Sequence, residues 1–175
     1  MIERERTFLA KSIPNNLSDY NYKDILDIYF PDGLKHATIR IRKNGETFCI
    51  TKKSPLDNND SSILVEQTIE LTKEEFLKLE SEIKGRRIYK RRYKLPYKNY
   101  IAEFDIFYEQ LKGLVLIDFE FGSIEEKNSF EVPDFCLAEV TQEEFIAGGI
   151  LCGKKYVDLE KDLEKFNYSR INHQL

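Results

Sequence analysis

The pattern with the clearest chemical content opens the chain, Met1-Ile-Glu-Arg-Glu-Arg-Thr-Phe-Leu9. Read as a strand, it sends alternate side chains to opposite faces. Glu3 and Glu5 then share a face with Thr7 and Leu9, while Ile2, Arg4, Arg6 and Phe8 share the other. Two neighbouring carboxylates repel each other unless a cation sits between them, and oxygen-only donors suit hard ions such as Mg²⁺ or Mn²⁺. Alone, a Glu at every second position describes a solvated face. The rest of the chain repeats the device. Arg40 and Arg42 alternate with Ile39 and Ile41, and Cys49, Thr51 and Lys53 with Phe48 and Ile50. Glu66, Thr68 and Glu70 alternate with Val65, Ile69 and Leu71, and Lys90 and Arg92 with Tyr89 and Tyr93. Glu103 and Asp105 alternate with Phe104 and Ile106, and Asp118 and Glu120 with Ile117, Phe119 and Phe121.

Nearly every one of these strands has one apolar and one charged face, and the charges are sorted by strand, basic on some and acidic on others. An ordinary antiparallel sheet with one wet side is one account. The other is a barrel closed with its charges inward. Poorly paired ions in such a tunnel cost several kcal/mol each, which calls for a ligand. Basic strands suit phosphate oxygens, and acidic strands suit a divalent metal. The residues alone leave both accounts open.

The elements that must position these faces follow from local signals. Asn15 to Phe30 reads as a helix carrying Leu17, Ile25 and Ile28, with its Tyr29-Phe30 end already extended before the turn Pro31-Asp-Gly33. Asn44-Gly45 joins Thr38–Lys43 to Glu46–Lys53 as a hairpin. Pro55 to Ser62 reads as a polar loop and Ile63 to Leu71 as a strand. Thr72 and Glu75 form a capping box for a helix with Phe76, Leu79 and Ile83 on one face, ended by Gly85. Arg87–Leu95 and Tyr100–Tyr108 read as strands joined by a turn near Pro96, and Leu114–Phe121 as another. Ser123 with Glu126 caps a short helix, and Thr141 with Glu144 a second one reaching Gly148-Gly149. Val157–Phe166 is the last helix, and its stripe of Leu159, Leu163 and Phe166 does not say whether it covers a barrel mouth or packs outside. The expected fold is one α+β domain over residues 1–175 with mostly antiparallel strands and helices outside.

Composition narrows the function classes. The 175 residues suffice for a sizeable core. Twenty-seven basic against 31 acidic residues leave a net charge of −4, so bulk attraction to nucleic acid or to an anionic membrane is not expected. Neither a signal region nor a membrane-spanning apolar run is read, which leads to an expectation of a cytoplasmic protein. Cys49, Cys136 and Cys152 have no zinc or disulfide spacing. The two histidines, His36 and His173, argue against a His-based metal site or a Ser-His-Asp triad.

The motifs and their order resemble the CYTH superfamily, the triphosphate tunnel metalloenzymes, from Ile2 to about Thr141. Glu3-Arg-Glu-Arg-Thr-Phe-Leu9 is similar to the family's opening Glu-x-Glu-x-Lys, and Tyr29-Phe30 to the aromatic before its hairpin. Ile39-Arg-Ile-Arg42 resembles the Arg-x-Arg strand, and Ile50-Thr-Lys-Lys53 the Leu-Thr-x-Lys strand. Val65-Glu66 opens the next acidic strand, and Tyr89-Lys-Arg-Arg-Tyr93 is similar to Lys-x-Arg-Tyr. Glu103-Phe-Asp-Ile-Phe107, Leu111-Lys-Gly-Leu114 and Ile117-Asp-Phe-Glu-Phe121 follow the late acidic strands, and Pro133 with Glu139-Val-Thr141 the closing segment. Three positions depart from the pattern: Thr7 stands for the signature Lys, Thr68 for a second Glu, and Asp118 for the usual Glu.

The resemblance implies an eight-stranded antiparallel β-barrel around a triphosphate tunnel. Arg40, Arg42, Lys53, Lys90 and Arg92 would hold phosphate oxygens. Glu3, Glu5, Asp118 and Glu120 would hold one or two Mg²⁺ or Mn²⁺ ions. Glu66, Glu103 and Asp105 would complete the acidic wall, and the catalytic set would be Glu3, Glu5 and Lys90. The implied activity is metal-dependent hydrolysis of tripolyphosphate, thiamine triphosphate or a nucleoside triphosphate. A binder of triphosphate with weak or no turnover is the alternative raised by Thr7, and a class IV adenylate cyclase is a third. The expected partner is a triphosphate-bearing small molecule, with no nucleic acid and no membrane, and a homodimer is left open. Tyr29, Tyr100 and Tyr108 could stack on an organic group at a tunnel mouth, although tyrosines on strands more often pack in the sheet.

Overall fold

The computed structural model describes residues 1–57 and 60–172, so His173 lies outside the described residues. Nine strands form one antiparallel sheet: β1 Ile2–Ala10, β2 Tyr22–Phe30, β3 Ile39–Asn44, β4 Thr47–Asp57, β5 Asp60–Leu71, β6 Arg86–Tyr97, β7 Tyr100–Phe107, β8 Val115–Glu120 and β9 Cys136–Glu139. The order β5-β4-β3-β2-β6-β7-β8-β1 closes on itself through a β5–β1 pairing, which makes an eight-stranded barrel. β1 completes the closure by splitting its second edge. Ile2 to Arg4 pair with β5, while Phe8 to Ala10 pair with β9.

Helix α1 (Lys73–Glu82) carries the expected capping box, with the Thr72 side chain accepting from the Glu75 amide and the Glu75 carboxylate accepting from the Thr72 amide. It buries Phe76 against Ile28 and Ile41, the outward residues of β2 and β3. Helix α2 (Ile124–Ser129) and the segment after it place Phe130 and Phe135 over the outer faces of β1, β6, β7 and β8. There Phe8, Phe104 and Phe119 are almost fully buried. The apolar strand faces thus point outward into helices and loops, and the charged faces point inward.

Several local readings are corrected. Residues 15–30 are not a helix. A short 3-10 turn covers Leu17–Asp19, and β2 then runs as strand between β3 and β6. Ile25, Asp27 and Tyr29 take one face of β2 and Leu26, Ile28 and Phe30 the other, so tertiary pairing overrides the weak helical spacing. The polar stretch 55–62 is mostly strand, with β4 reaching Asp57 and β5 starting at Asp60; residues 58 and 59 lie outside the described residues. β6 passes through Pro96, and the turn falls at Lys98-Asn99. The first hairpin turns on Gly45-Glu46, one residue later than read, with Gly45 at φ +60° at the first turn position. Thr141 does not cap a helix. Its hydroxyl accepts from the Thr7 amide, and the following residues form a 3-10 turn over Glu144–Ile146 and then helix α3 (Gly148–Leu151). The last helix is reduced to helix α4 (Glu160–Leu163) between two 3-10 turns.

That C-terminal region covers one end of the barrel. Leu9, Tyr29, Ile88, Phe107 and Leu116, all on inward strand faces, cluster with Phe145, Leu151, Leu159, Leu163 and Tyr168. The Tyr168 hydroxyl accepts from the Val115 amide and donates to the Gly113 carbonyl, which ties the chain's end to the start of β8. Among the described residues no helix is long and apolar enough to cross a membrane.

Candidate active site

Strand alternation delivers the charged side chains to one interior. A cavity of about 400 Å³ is lined by Glu3, Glu5 and Thr7 of β1, Arg40 and Arg42 of β3, and Thr51 and Lys53 of β4. Glu66 and Thr68 of β5, Lys90 and Arg92 of β6, Glu103 and Asp105 of β7, and Asp118 and Glu120 of β8 complete the ring. Every site residue expected from the sequence therefore faces the same space. Two lining residues of β2, Asp27 and Tyr29, were not among them. Their signal was the alternation of Ile25, Asp27 and Tyr29 with Leu26, Ile28 and Phe30, hidden by the helical reading.

The basic side chains are held by acids across the strands. Arg42 donates to both Asp27 oxygens at 2.6 and 2.7 Å. The Arg40 Nε lies 3.7 Å from the same carboxylate, buried and without a hydrogen bond, while Arg40 Nη1 donates to the Tyr29 hydroxyl at 3.0 Å. Arg92 bridges three acids: Asp105 at 2.6 Å, Asp118 at 3.0 Å, and Glu103 through a short contact. Lys90 also donates to Asp105. Lys53 donates to Glu3 and lies 3.7 Å from Glu5 and 3.4 Å from Glu66. Thr7 donates to Asp118 at 2.8 Å, so the residue standing for the signature Lys touches one of the expected metal carboxylates.

The electrostatics divide the acids into two groups. Burial would push Asp27 and Asp105 up, but Arg42 and Arg40 at the first and Arg92 and Lys90 at the second hold both carboxyls well below the usual range. Glu5, Asp118 and Glu120 are pushed up, chiefly by burial and then by neighbouring acids: Asp118 and Glu3 at Glu5, Asp105 at Asp118, and Glu103 and Glu3 at Glu120. Burial lowers Lys90 below its ordinary value, and Arg92 and Arg42 add to this against Asp105. The cavity wall holds eight carboxylates and five basic side chains among the described residues, an excess of negative charge in a space of low polarizability.

This donor set suits a hard divalent cation, because Glu5, Asp118 and Glu120 are oxygen donors raised chiefly by burial, and a cation among them would offset that burial and the acid–acid repulsion that adds to it. The ligand shell is not preassembled. Among the described residues no three acidic, thiol or imidazole side chains converge as a metal-binding group, and Lys53 and Arg92 stand between the acids instead. Tyr100 packs against Phe121 and Phe130 on the outside, and Tyr29 lies buried at the covered end. Tyr108 lies near Arg91 rather than on the cavity wall. Tyr100 also lines a second cavity with Glu103 and Glu120, beside the open end of the barrel.

The class that this geometry defines is a closed antiparallel barrel with acids and bases around its interior, a lining that suits phosphate oxygens together with a hard cation. No family model matches the chain. The chain is 30% identical over 147 residues to the inorganic triphosphatase of Nitrosomonas europaea, covering 82% of this chain and 91% of that protein. A crystal structure of an inorganic triphosphatase has the same fold, with a TM-score of 0.62 and 24% identity over 86% of this chain and 93% of that one. An adenylate cyclase candidate from Bacillus halodurans shares the fold more distantly, with a TM-score of 0.51 and 16% identity over 99% and 94% of the two chains. The chain belongs to the CYTH superfamily of triphosphate tunnel enzymes.

Proposed function

We infer that this triphosphatase hydrolyses linear inorganic triphosphate and works with Mg²⁺ or Mn²⁺. The observation that carries the reading is the cavity wall itself, with five basic side chains for phosphate oxygens and a surplus of carboxylates for metal. A polyanion entering a space with more acids than bases needs added positive charge, and a divalent ion supplies it. The relative from Nitrosomonas europaea, an inorganic triphosphatase, supports the substrate class.

Arg40, Arg42, Lys53, Lys90 and Arg92 hold phosphate oxygens in this reading, with the Arg40 Nε, 3.7 Å from Asp27 and without a hydrogen bond, as a donor open to an acceptor. Glu3, Glu5, Asp118 and Glu120 would hold the metal, which neutralises the phosphates and activates a water. Glu66, Glu103 and Asp105 aim the basic side chains: Asp105 orients Lys90 and Arg92, and Glu66 orients Lys53. Glu3 would free Lys53 for substrate on taking up a metal, and Glu5 lies 3.7 Å from Lys53 with no hydrogen bond to a basic group among the described residues. Lys90, with its proton affinity lowered by burial, stands ready to give charge or a proton to the reacting phosphate.

Incubation with tripolyphosphate, thiamine triphosphate and ATP, each with Mg²⁺, Mn²⁺ or a chelator, tests the reading. Fast metal-dependent release of phosphate from tripolyphosphate, with slower release from the organic triphosphates, is expected. Cyclic AMP as the main product from ATP would overturn it. Tight metal-dependent binding without release would favour the second reading, a triphosphate binder, for which Thr7 is the specific observation.

A further inference from the structure

Five side chains on two neighbouring strands form a file along the cavity wall. Cys49, Thr51 and Lys53 line the cavity from β4, and Glu66 and Thr68 line it from β5. The strand register sets Thr51 beside Thr68 and Lys53 beside Glu66. Their polar atoms touch in turn. Cys49 Sγ lies 3.6 Å from Thr51 Oγ1, Thr51 Oγ1 lies 3.1 Å from Thr68 Oγ1, and Thr68 Oγ1 donates to Glu66 Oε1 at 2.6 Å. A hydroxyl has one proton to give. Thr68 gives its proton to the carboxylate, so Thr51 must donate to Thr68 and the Cys49 thiol to Thr51. The file is a one-way chain of donors that ends on Glu66. Its middle member, Thr51, is 3% exposed. The other oxygen of Glu66, Oε2, lies 3.4 Å from the Lys53 ammonium. Lys53 also donates to Glu3 and lies 3.7 Å from Glu5. Glu3 and Glu5 are metal donors in the reading above, whereas Glu66 is not. Once they turn to metal, Glu66 is the carboxylate left to aim Lys53.

We propose that Thr68 is a positioning residue for triphosphate binding: by holding the Glu66 carboxylate, its hydroxyl fixes the direction in which Lys53 meets phosphate. The proposal rests on the triphosphatase reading and adds a residue to it. Thr68 is one of the three positions at which the chain departs from the family pattern, a hydroxyl standing where a second Glu is expected. A carboxylate there would have no proton to give to Glu66. The two acids would instead repel each other from one strand face, with their backbones roughly 7 Å apart. With the hydroxyl the contact is attractive, and Glu66 keeps one geometry. Without it the carboxylate is free to turn, and Lys53, an ammonium on a flexible four-carbon stem, loses its anchor. Each phosphate that binds must then order Lys53 itself, at a cost in side-chain entropy. That cost falls on bound substrate and transition state alike, so it shows in KM and not in kcat.

The test uses the full chain and follows phosphate release from tripolyphosphate at saturating Mg²⁺ or Mn²⁺. Where turnover is slow, calorimetry gives Kd in place of KM, and calorimetry with Mn²⁺ alone gives the metal affinity. Thr68→Val keeps the shape of the side chain and removes its proton. It should raise KM by about threefold to tenfold, with kcat and metal affinity close to wild type. Thr68→Ser restores the hydroxyl and should bring KM back. In a Lys53→Met background Thr68→Val should raise KM no further, because Thr68 acts through Lys53. If Thr68→Val does not fold, Thr68→Ala takes its place in each comparison. Four results would overturn the inference and leave the triphosphatase reading standing: an unchanged KM, a loss of metal affinity equal to the loss of substrate affinity, a Thr68→Ser enzyme no better than Thr68→Val, or the same rise in KM with and without Lys53. If wild type neither cuts nor binds tripolyphosphate with either metal, the functional reading falls and takes this inference with it.

Discussion

Thr7 is the residue at which chain and family part, and it is buried with its hydroxyl on Asp118. A lysine there would add a charge that phosphate feels as its bonds rearrange, and groups of this kind are worth about 10²–10³ in rate. Thr7→Lys is therefore expected to raise phosphate release from tripolyphosphate. A slower variant would mean that the Thr7–Asp118 contact has itself become part of the working arrangement. Glu5 and Arg42 separate the two halves of the charged wall. Glu5→Ala should weaken metal binding and abolish hydrolysis, whereas Arg42→Ala should weaken triphosphate binding more than metal binding. Equal losses of metal affinity in calorimetry would contradict that division. Asp27 makes a stability prediction. Asp27→Asn leaves Arg40 and Arg42 buried without their carboxylate, and breaking a buried pair costs about 3–5 kcal/mol. The folded-state pKa of Asp27 lies below its unfolded value. Its contribution is therefore fully present above about pH 4 and lost as pH falls through the folded value. Urea midpoints of wild type and variant should differ most near pH 7 and draw together below pH 4.

At the scale of elements, what was legible depended on how local the signal was. The capping box at Thr72, the hairpin turn around Gly45 and the alternating charged strands each carry their pattern within a few residues; the cap and the alternation appear where read, and the turn one residue later. β2 did not, because its start has no clean alternation and only its pairing with β3 and β6 makes it strand. Asp27 was lost with it, although it is the carboxylate that fixes two of the expected phosphate ligands. β9 is four residues long and owes its existence to the free edge of β1, a long-range fact with no local mark. The same holds for the C-terminal stripe, whose docking over the barrel end depends on partners far earlier in the chain, from Leu9 to Leu116. α1 lies outside the cavity wall, so Thr72→Ala should cost about 1 kcal/mol of stability and leave tripolyphosphate hydrolysis unchanged. Thermal unfolding and an activity assay on the same preparation would check both halves, and a matching fall in activity would tie α1 to the site.

For the molecule as a whole, the arrangement inverts the common plan of a globular sheet. The apolar faces of the strands turn outward into helices and loops, and the interior is an ionic network with surplus acid. Such an interior is stable only while every charge finds a partner, so ligands that complete it should also stabilise the fold. Mg²⁺ or Mn²⁺ without substrate should raise the unfolding temperature, and adding triphosphate should raise it further, by about 2.7 kcal/mol of stability at a ligand concentration of 100 times Kd. Net charge and composition said nothing of this, because they do not say where in the fold the surplus sits. The most direct measurement is the rate of phosphate release from tripolyphosphate against Mg²⁺ concentration, for wild type and Glu5→Gln, with chelator as the zero point. Wild type should rise from no activity to saturation with metal, and Glu5→Gln should stay near zero at metal concentrations that saturate wild type. Equal release in chelator and in Mg²⁺, or a Glu5→Gln enzyme as fast as wild type, would contradict a charged interior that works by holding metal and triphosphate together.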